Sequence, residues 1–122
     1  VILDGGLGVE LAARGFVYAT TLWSGEAVLE RPDLLVDVHR AYLAAGAHVI
    51  GTATYQLSHA ALRELGYDDT GVDAVFARAV ALAREAITAH RAQTGRAAAL
   101  LVAGSLGPHG ATRADGSEYS SA

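Results

Sequence analysis

Three short apolar runs, each closed by a glycine-containing turn, narrow what this chain can fold into more than any other feature. Residues 1–3 lead into Asp4-Gly5-Gly6, residues 47–50 into Gly51-Thr52, and residues 98–103 into Gly104-Ser105. Runs this short and apolar throughout suit parallel strands that are buried on both faces. The segments between them carry helical periodicity. Pro32 fits a first helical turn, where a missing N–H costs nothing. Leu34, Leu35, Val38, Tyr42 and Ala45 then recur at near-helical spacing, and Gly46 is placed to stop the helix. A longer helix is expected from Thr70, which with Asp73 resembles a capping box. Its stripe is Val72, Val75, Phe76, Ala79, Val80, Ala83 and Ile87, and Gly95 follows its end. Shorter helices are expected over 8–14 and 58–65.

The resulting order, β-α-β-α-β, is that of an α/β protein with right-handed crossovers. The strands start roughly 50 residues apart, wider than the roughly 30 of a minimal βαβ unit. The surplus falls in the loops after each strand, at 20–30 and 52–67. In barrel enzymes such segments, on the C-terminal side of the strands, carry the chemistry.

Composition removes several classes of function. Of 122 residues, 52% are hydrophobic, so a core can form and disorder is not expected. The net charge of −4 comes without a basic cluster, which argues against nucleic-acid and membrane-surface binding. No apolar run reaches the roughly 20 residues of a membrane span. There is no cysteine. A disulfide framework, a thiolate metal site and a cysteine nucleophile are therefore excluded within these residues, and the composition suits a reducing cytoplasm. The chain opens directly in an apolar run without an initiator Met and ends just after a polar segment. Both ends are expected to be cuts through a longer protein.

Candidate chemistry clusters where the apolar runs end. Asp4 either caps the following helix, the reading that spacing alone favours, or turns its carboxylate toward the mouth of the fold. Gly5 and Gly6 let a ligand approach the backbone and leave N–H groups for an anion. Gly5-Gly6-Leu7-Gly8 does not have the dinucleotide spacing G-x-G-x-x-G. Thr52 and Thr54 offer two hydroxyls on one side of the chain, or are ordinary β-branched strand residues. Tyr55 and Gln56 add hydrogen-bonding groups. His109, in the constrained loop Gly107-Pro108-His109-Gly110, is a possible acid, base or ligand, although a lone loop histidine is more often structural. Asp115 and Glu118 sit in a turn-rich segment whose default is exposed surface. Trp23 either walls a small-molecule pocket or packs in the core. His39, His48, His59 and His90 lack ligand spacing with one another, so they form no zinc motif.

Taken in order, several of these stretches resemble the homocysteine S-methyltransferase family. They are Leu3-Asp4-Gly5-Gly6, Leu22-Trp23-Ser24, His39 with Tyr42 and the residues on to Ala47, Thr52-Ala53-Thr54-Tyr55-Gln56, Ala103-Gly104-Ser105-Leu106-Gly107-Pro108 and Ala114-Asp115-Gly116-Ser117-Glu118-Tyr119. The last is closest to the branch that uses S-methylmethionine or S-adenosylmethionine, not betaine. The resemblance implies a (β/α)8 TIM barrel, of which this α/β chain would supply the N-terminal part, about three βα units. It implies methyl transfer to homocysteine, giving methionine, with the acceptor sulfur bound as a thiolate by a zinc ion held by three cysteines. Those cysteines would lie in a C-terminal part beyond residue 122. By the same resemblance Asp4, Gly5 and Thr52 lie near the amino-acid end of homocysteine.

Two other readings stand beside this one. The chain could be an inactive remnant, or a flavodoxin-like α/β module that binds a small ligand without catalysis. The latter calls for phosphate-cradling loops, which none of the strand ends resembles. Alone, the chain is expected to be inactive, marginally stable or prone to aggregate, and unable to bind zinc tightly.

Overall fold

A computed structural model describes residues 1–20 and 22–107. The elements run α1 (Leu7–Ala13), a 3-10 turn (Trp23–Gly25), α2 (Glu26–Glu30), α3 (Pro32–Ala44), β1 (Val49–Gly51), α4 (His59–Glu64), α5 (Asp69–Thr94) and β2 (Leu101–Ala103). β1 and β2 pair in parallel, with Val49 opposite Leu101 and Gly51 opposite Ala103. On the other side of β1, Leu3 makes a single parallel bridge to Val49. The mixed α/β order with parallel pairing therefore holds.

The first apolar run is shorter as a strand than expected, and the hydrogen bonds show why. Val49 N–H donates to the Ile2 carbonyl at 3.2 Å and Asp4 N–H to the Val49 carbonyl at 3.0 Å, as a parallel ladder requires. The next donor in the ladder is Gly51 N–H. It goes to the Asp4 side chain, 2.9 Å from Oδ2. The carboxylate takes the place of a backbone acceptor, and the ladder ends there.

Helix boundaries follow local chemistry. Pro32 opens α3. Ser58 caps α4 by accepting from Ala61 N–H at 3.0 Å. α5 starts before the expected Thr70: Asp68 is its cap and accepts from Gly71 N–H at 2.8 Å. Asp at that position outranks Thr as a cap, so the box at Thr70 and Asp73 lies inside the helix. Gly46 (φ +110) and Gly95 (φ +66) end α3 and α5 in the left-handed region that glycine enters without steric cost. Residues 20–30, expected as loop, instead hold the 3-10 turn and α2, because Ala27 and Val28 bury fully and give the segment a packed face.

Two clusters make the core. The larger joins Leu11, Leu22, Val28, Leu35, Val38 and Leu62 to the α5 stripe of Val72, Val75, Ala79 and Leu82. The smaller ties the helices to the sheet through Leu43, Ile50, Ala83, Ala86, Ile87 and Leu100. His39 is fully buried, and neither ring nitrogen has a partner among the described residues. Burial lowers its pKa to about 4, so it packs as a neutral ring. Ile50 and Val102 face the helices. Strand alternation turns Leu3, Val49 and Leu101 to the opposite side, where Leu3 and Leu101 are 67% and 60% exposed. On that side Leu3 and Leu101 stand open, with Val49 half-buried between them.

Arg96 locks the joint between α3 and β1. Its guanidinium donates to the carbonyls of Leu43 and Ala47, both at 3.1 Å, and of Gly46 at 3.4 Å. A cation here also meets the negative end of the α3 dipole. In the full-length protein, Arg96→Ala should lower unfolding stability by about 1–3 kcal/mol, the range for hydrogen bonds to a charged donor and their abandoned acceptors. Arg96→Lys should recover only part, since an ammonium lacks the planar fork. Denaturant titration of the three proteins checks this.

Candidate functional site

Every strand-end turn of the described residues converges on one cleft of about 370 Å³. Its walls are the Asp4-to-Gly8 turn, Trp23 and Ser24, Gly51 and Thr52 with Tyr55 and Gln56 beyond them, and Ser105. This is the carboxyl edge of a parallel sheet, where α/β proteins bind ligands. The structure brings Asp4, Gly5 and Thr52 together in this cleft, with Trp23, Tyr55 and Gln56. His109 and the segment 114–119 lie outside the described residues.

Asp4 does not cap α1. That helix has Gly6 at its N-cap and no side-chain cap, and the carboxylate points across to Gly51 instead. The spacing that favoured a cap could not register a partner 47 residues away. Burial raises the Asp4 pKa above its ordinary 3.8, opposed by the hydrogen bond from Gly51.

Two tyrosines pin the glycine turn. Tyr42, from α3, donates to the Gly6 carbonyl at 2.8 Å. Tyr18 donates to the Gly8 carbonyl at 2.6 Å. Tyr18 also stacks obliquely on Trp23, with ring centroids 5.5 Å apart. Trp23 has φ +50, a conformation that non-glycine residues rarely hold unless their surroundings impose it. It is 43% exposed, so it walls the cleft instead of filling the core. Behind it the buried carboxylate of Glu26 accepts from Ala19 N–H at 3.0 Å and ties residues 16–20 to α2. In the sequence Tyr42 reads as part of a helical stripe, and nothing singles out Tyr18 or Glu26. Their partners are backbone groups of distant segments, which no local pattern records.

Thr52 and Thr54 do share one side, in a turn and not an extended strand, with their hydroxyls 2.7 Å apart. Both are buried.

The chain has no cysteine, and no group of three His, Asp or Glu side chains among the described residues could hold a metal. No helix among them is long and apolar enough to cross a membrane.

An α/β chain whose strand-end turns line a small cleft with several polar groups is of the class that binds small molecules at the carboxyl edge of its sheet. The profile of the homocysteine S-methyltransferase family matches residues 1–122, and the chain belongs to that family. It is 44% identical over 119 residues to a homocysteine S-methyltransferase of Escherichia coli, covering 98% of this chain and 38% of the relative. It is 40% identical to homocysteine S-methyltransferase 4 of Zea mays, covering 98% of this chain and 36% of that protein. It is 35% identical to a selenocysteine methyltransferase of Astragalus bisulcatus, covering 98% of this chain and 39% of that one. Among solved structures, the metallated form of the E. coli homocysteine methyltransferase MmuM superposes with a TM-score of 0.89 at 44% identity, over 98% of this chain and 42% of that one. The chain thus spans well under half the length of these relatives. Family membership displaces the flavodoxin-like module.

Gly5 is the tightest point of the turn. A Cβ there would stand 2.9 Å from Tyr42 Oη and 3.1 Å from its Cε1. Gly5→Ala should therefore push Tyr42 off the Gly6 carbonyl, at a cost of about 1–3 kcal/mol. The full-length variant is expected to lose stability and cleft-ligand affinity together, measured by thermal melts with and without ligand. Gly6→Ala, where a Cβ meets nothing within 4 Å, should cost far less.

Proposed function

We propose that this chain forms the amino-acid-binding side of a methyltransferase that moves a methyl group from S-methylmethionine or S-adenosylmethionine to homocysteine, giving methionine. In this reading the chain supplies about the first three βα units of a (β/α)8 barrel. The exposed Leu3 and Leu101, with Val49 between them, would then face the barrel interior, filled by side chains from the other strands. The observation that carries the reading is Asp4, a carboxylate fixed by Gly51 N–H at the mouth of the cleft, in a chain of this family.

The chemistry is a displacement. The homocysteine thiol gives up its proton to solvent, and a lone pair of the resulting thiolate forms a bond to the donor methyl carbon. The bond from that carbon to the sulfonium sulfur breaks, its electron pair staying on the leaving sulfur, which departs as a neutral thioether. The protein's contribution is to align the two sulfurs. Homocysteine carries an ammonium and a carboxylate for that purpose. Asp4 suits the ammonium, and the Gly5 N–H suits the carboxylate. The donor is a cation, and the exposed face of Trp23 suits it by cation–π attraction. The zinc implied by the family resemblance would need ligands from outside these residues, and the roles of Asp4, Gly5 and Trp23 do not depend on it.

The test is Asp4→Asn in the full-length protein, with homocysteine Kd and zinc content measured on one preparation. The amide oxygen still accepts from Gly51 N–H, so the turn should hold. Charge-assisted hydrogen bonds contribute roughly 1.5–3 kcal/mol, so affinity should fall about ten- to a hundredfold with zinc unchanged. Unchanged affinity would remove Asp4 from the substrate site.

The raised pKa of Asp4 also sets a pH dependence. Binding needs the ionised carboxylate, so in wild type affinity should fall as pH falls through a midpoint above 3.8. Asp4→Asn should lack that limb. Stability has the opposite sign: the folded state holds this proton more tightly than the unfolded chain, so Asp4's contribution falls as pH rises from 3.8 through the raised value. Calorimetric titration across the acid range reads the binding limb.

A further inference from the structure

The turns after β1 and β2 are joined by a small ring of hydrogen bonds under the cleft. Ser105 N–H donates to Thr52 Oγ1 at 3.2 Å. The hydroxyls of Thr52 and Thr54 lie 2.7 Å apart. Thr54 Oγ1 lies 2.6 Å from the Ser105 carbonyl oxygen. A hydroxyl has one proton and two lone pairs, and a carbonyl has no proton. The Thr54 proton must therefore go to Ser105. It follows that the Thr52–Thr54 bond is made with the proton of Thr52. Thr52 has then given its proton to Thr54 and one lone pair to Ser105 N–H. What it has left is a lone pair.

We propose that Thr54 is a positioning residue that fixes Thr52 as a hydrogen-bond acceptor, so that this end of the cleft selects ligands bearing an ammonium group. The inference deepens the amino-acid-binding reading of the cleft and rests on it. Thr54 is 5% exposed and is not part of the cleft wall, so it acts only through Thr52. The residue between Thr52 and the Asp4 carboxylate is Gly51, whose N–H holds that carboxylate. Asp4, when ionised, is also acceptor-only. Asp4 and Thr52, both in the cleft wall, thus offer acceptors of one kind. An ammonium brings three donors and satisfies both. A carboxylate or carbonyl set against Thr52 Oγ1 and the ionised Asp4 meets only lone pairs from these two groups. This gives Thr52 a sharper role than a general polar contact: it belongs with Asp4 at the nitrogen of the amino acid, and the carboxylate of the ligand must lie elsewhere.

The experiment uses the full-length protein with homocysteine and with 4-sulfanylbutanoate, the same thiol acid without the amine, as methyl acceptors. Thr54→Val keeps the shape and frees the Thr52 proton. Thr52 can then also turn its proton into the cleft, so the preference for homocysteine over 4-sulfanylbutanoate, read as the ratio of their KM values, should fall by up to about tenfold, with kcat little changed. Thr54→Ser restores a hydroxyl and should restore the preference for the amine. Equal rises in KM for both acceptors, or failure of Ser to rescue, would overturn the proposal and leave Thr54 a packing residue. Should Thr54→Val not fold, Thr52→Val removes the acceptor itself: it must lower the amine preference, and an unchanged preference overturns the proposal. Asp4→Asn separates the two levels. If it leaves the amine preference intact, the amino-acid reading of the cleft fails; if it abolishes the preference and Thr54→Val does not, only the Thr54 proposal fails.

Discussion

The hydrogen bond from Gly51 N–H to the Asp4 carboxylate is the joint on which the rest of the structure depends. It ends the pairing of the first apolar run with β1, because it consumes the donor that the next rung would use. It also fixes a charged group at the carboxyl edge of the sheet instead of leaving it to solvent. The cleft exists because the chain turns there, and the turn exists because a side chain has replaced a backbone acceptor. One interaction therefore sets strand length, turn position and the charge of the site.

That joint is held from outside by packing. α3 and α5 form the main helical layer, with Leu35, Val38 and neutral His39 buried on α3 and Val75, Ala79 and Leu82 on α5. Because α3 is fixed, the Tyr42 hydroxyl reaches the Gly6 carbonyl. Tyr18 does the same for Gly8 while supporting Trp23 in its left-handed conformation. The glycines make the turn possible and the tyrosines make it single-valued. Strain at Trp23 and a desolvated Asp4 both weaken the unliganded fold slightly. Such costs cluster at functional sites in folded proteins.

The family resemblance was legible because it rests on short stretches at the strand ends, and the structure shows several of those stretches meeting in one cleft. Asp4, Gly5 and Thr52 stand out on the same grounds. What local pattern misjudges is the partner of each. Asp4 looks like a helix cap because the nearest backbone donors in sequence belong to α1, yet its donor is on β1. Thr70 looks like a cap because the box pattern is local, yet Asp68 begins the helix two residues earlier. Residues 20–30 look like loop because the polar residues there hide a one-turn helix that is stabilised only by burial of Ala27 and Val28.

What the sequence by itself determined is the alternation of apolar runs and helical stripes, the glycine stops of α3 and α5, the absence of any thiolate ligand, and the candidate residues at the strand ends. These are set by periodicity, backbone freedom and composition, which act over a few residues. Only the tertiary structure decided that Asp4 bonds to Gly51, that Tyr42 and Tyr18 hold the glycine turn, and that the hydroxyls of Thr52 and Thr54 meet. Each of those depends on which groups are left without water when distant segments pack, and a buried donor or acceptor finds its partner by position in space, not by distance along the chain.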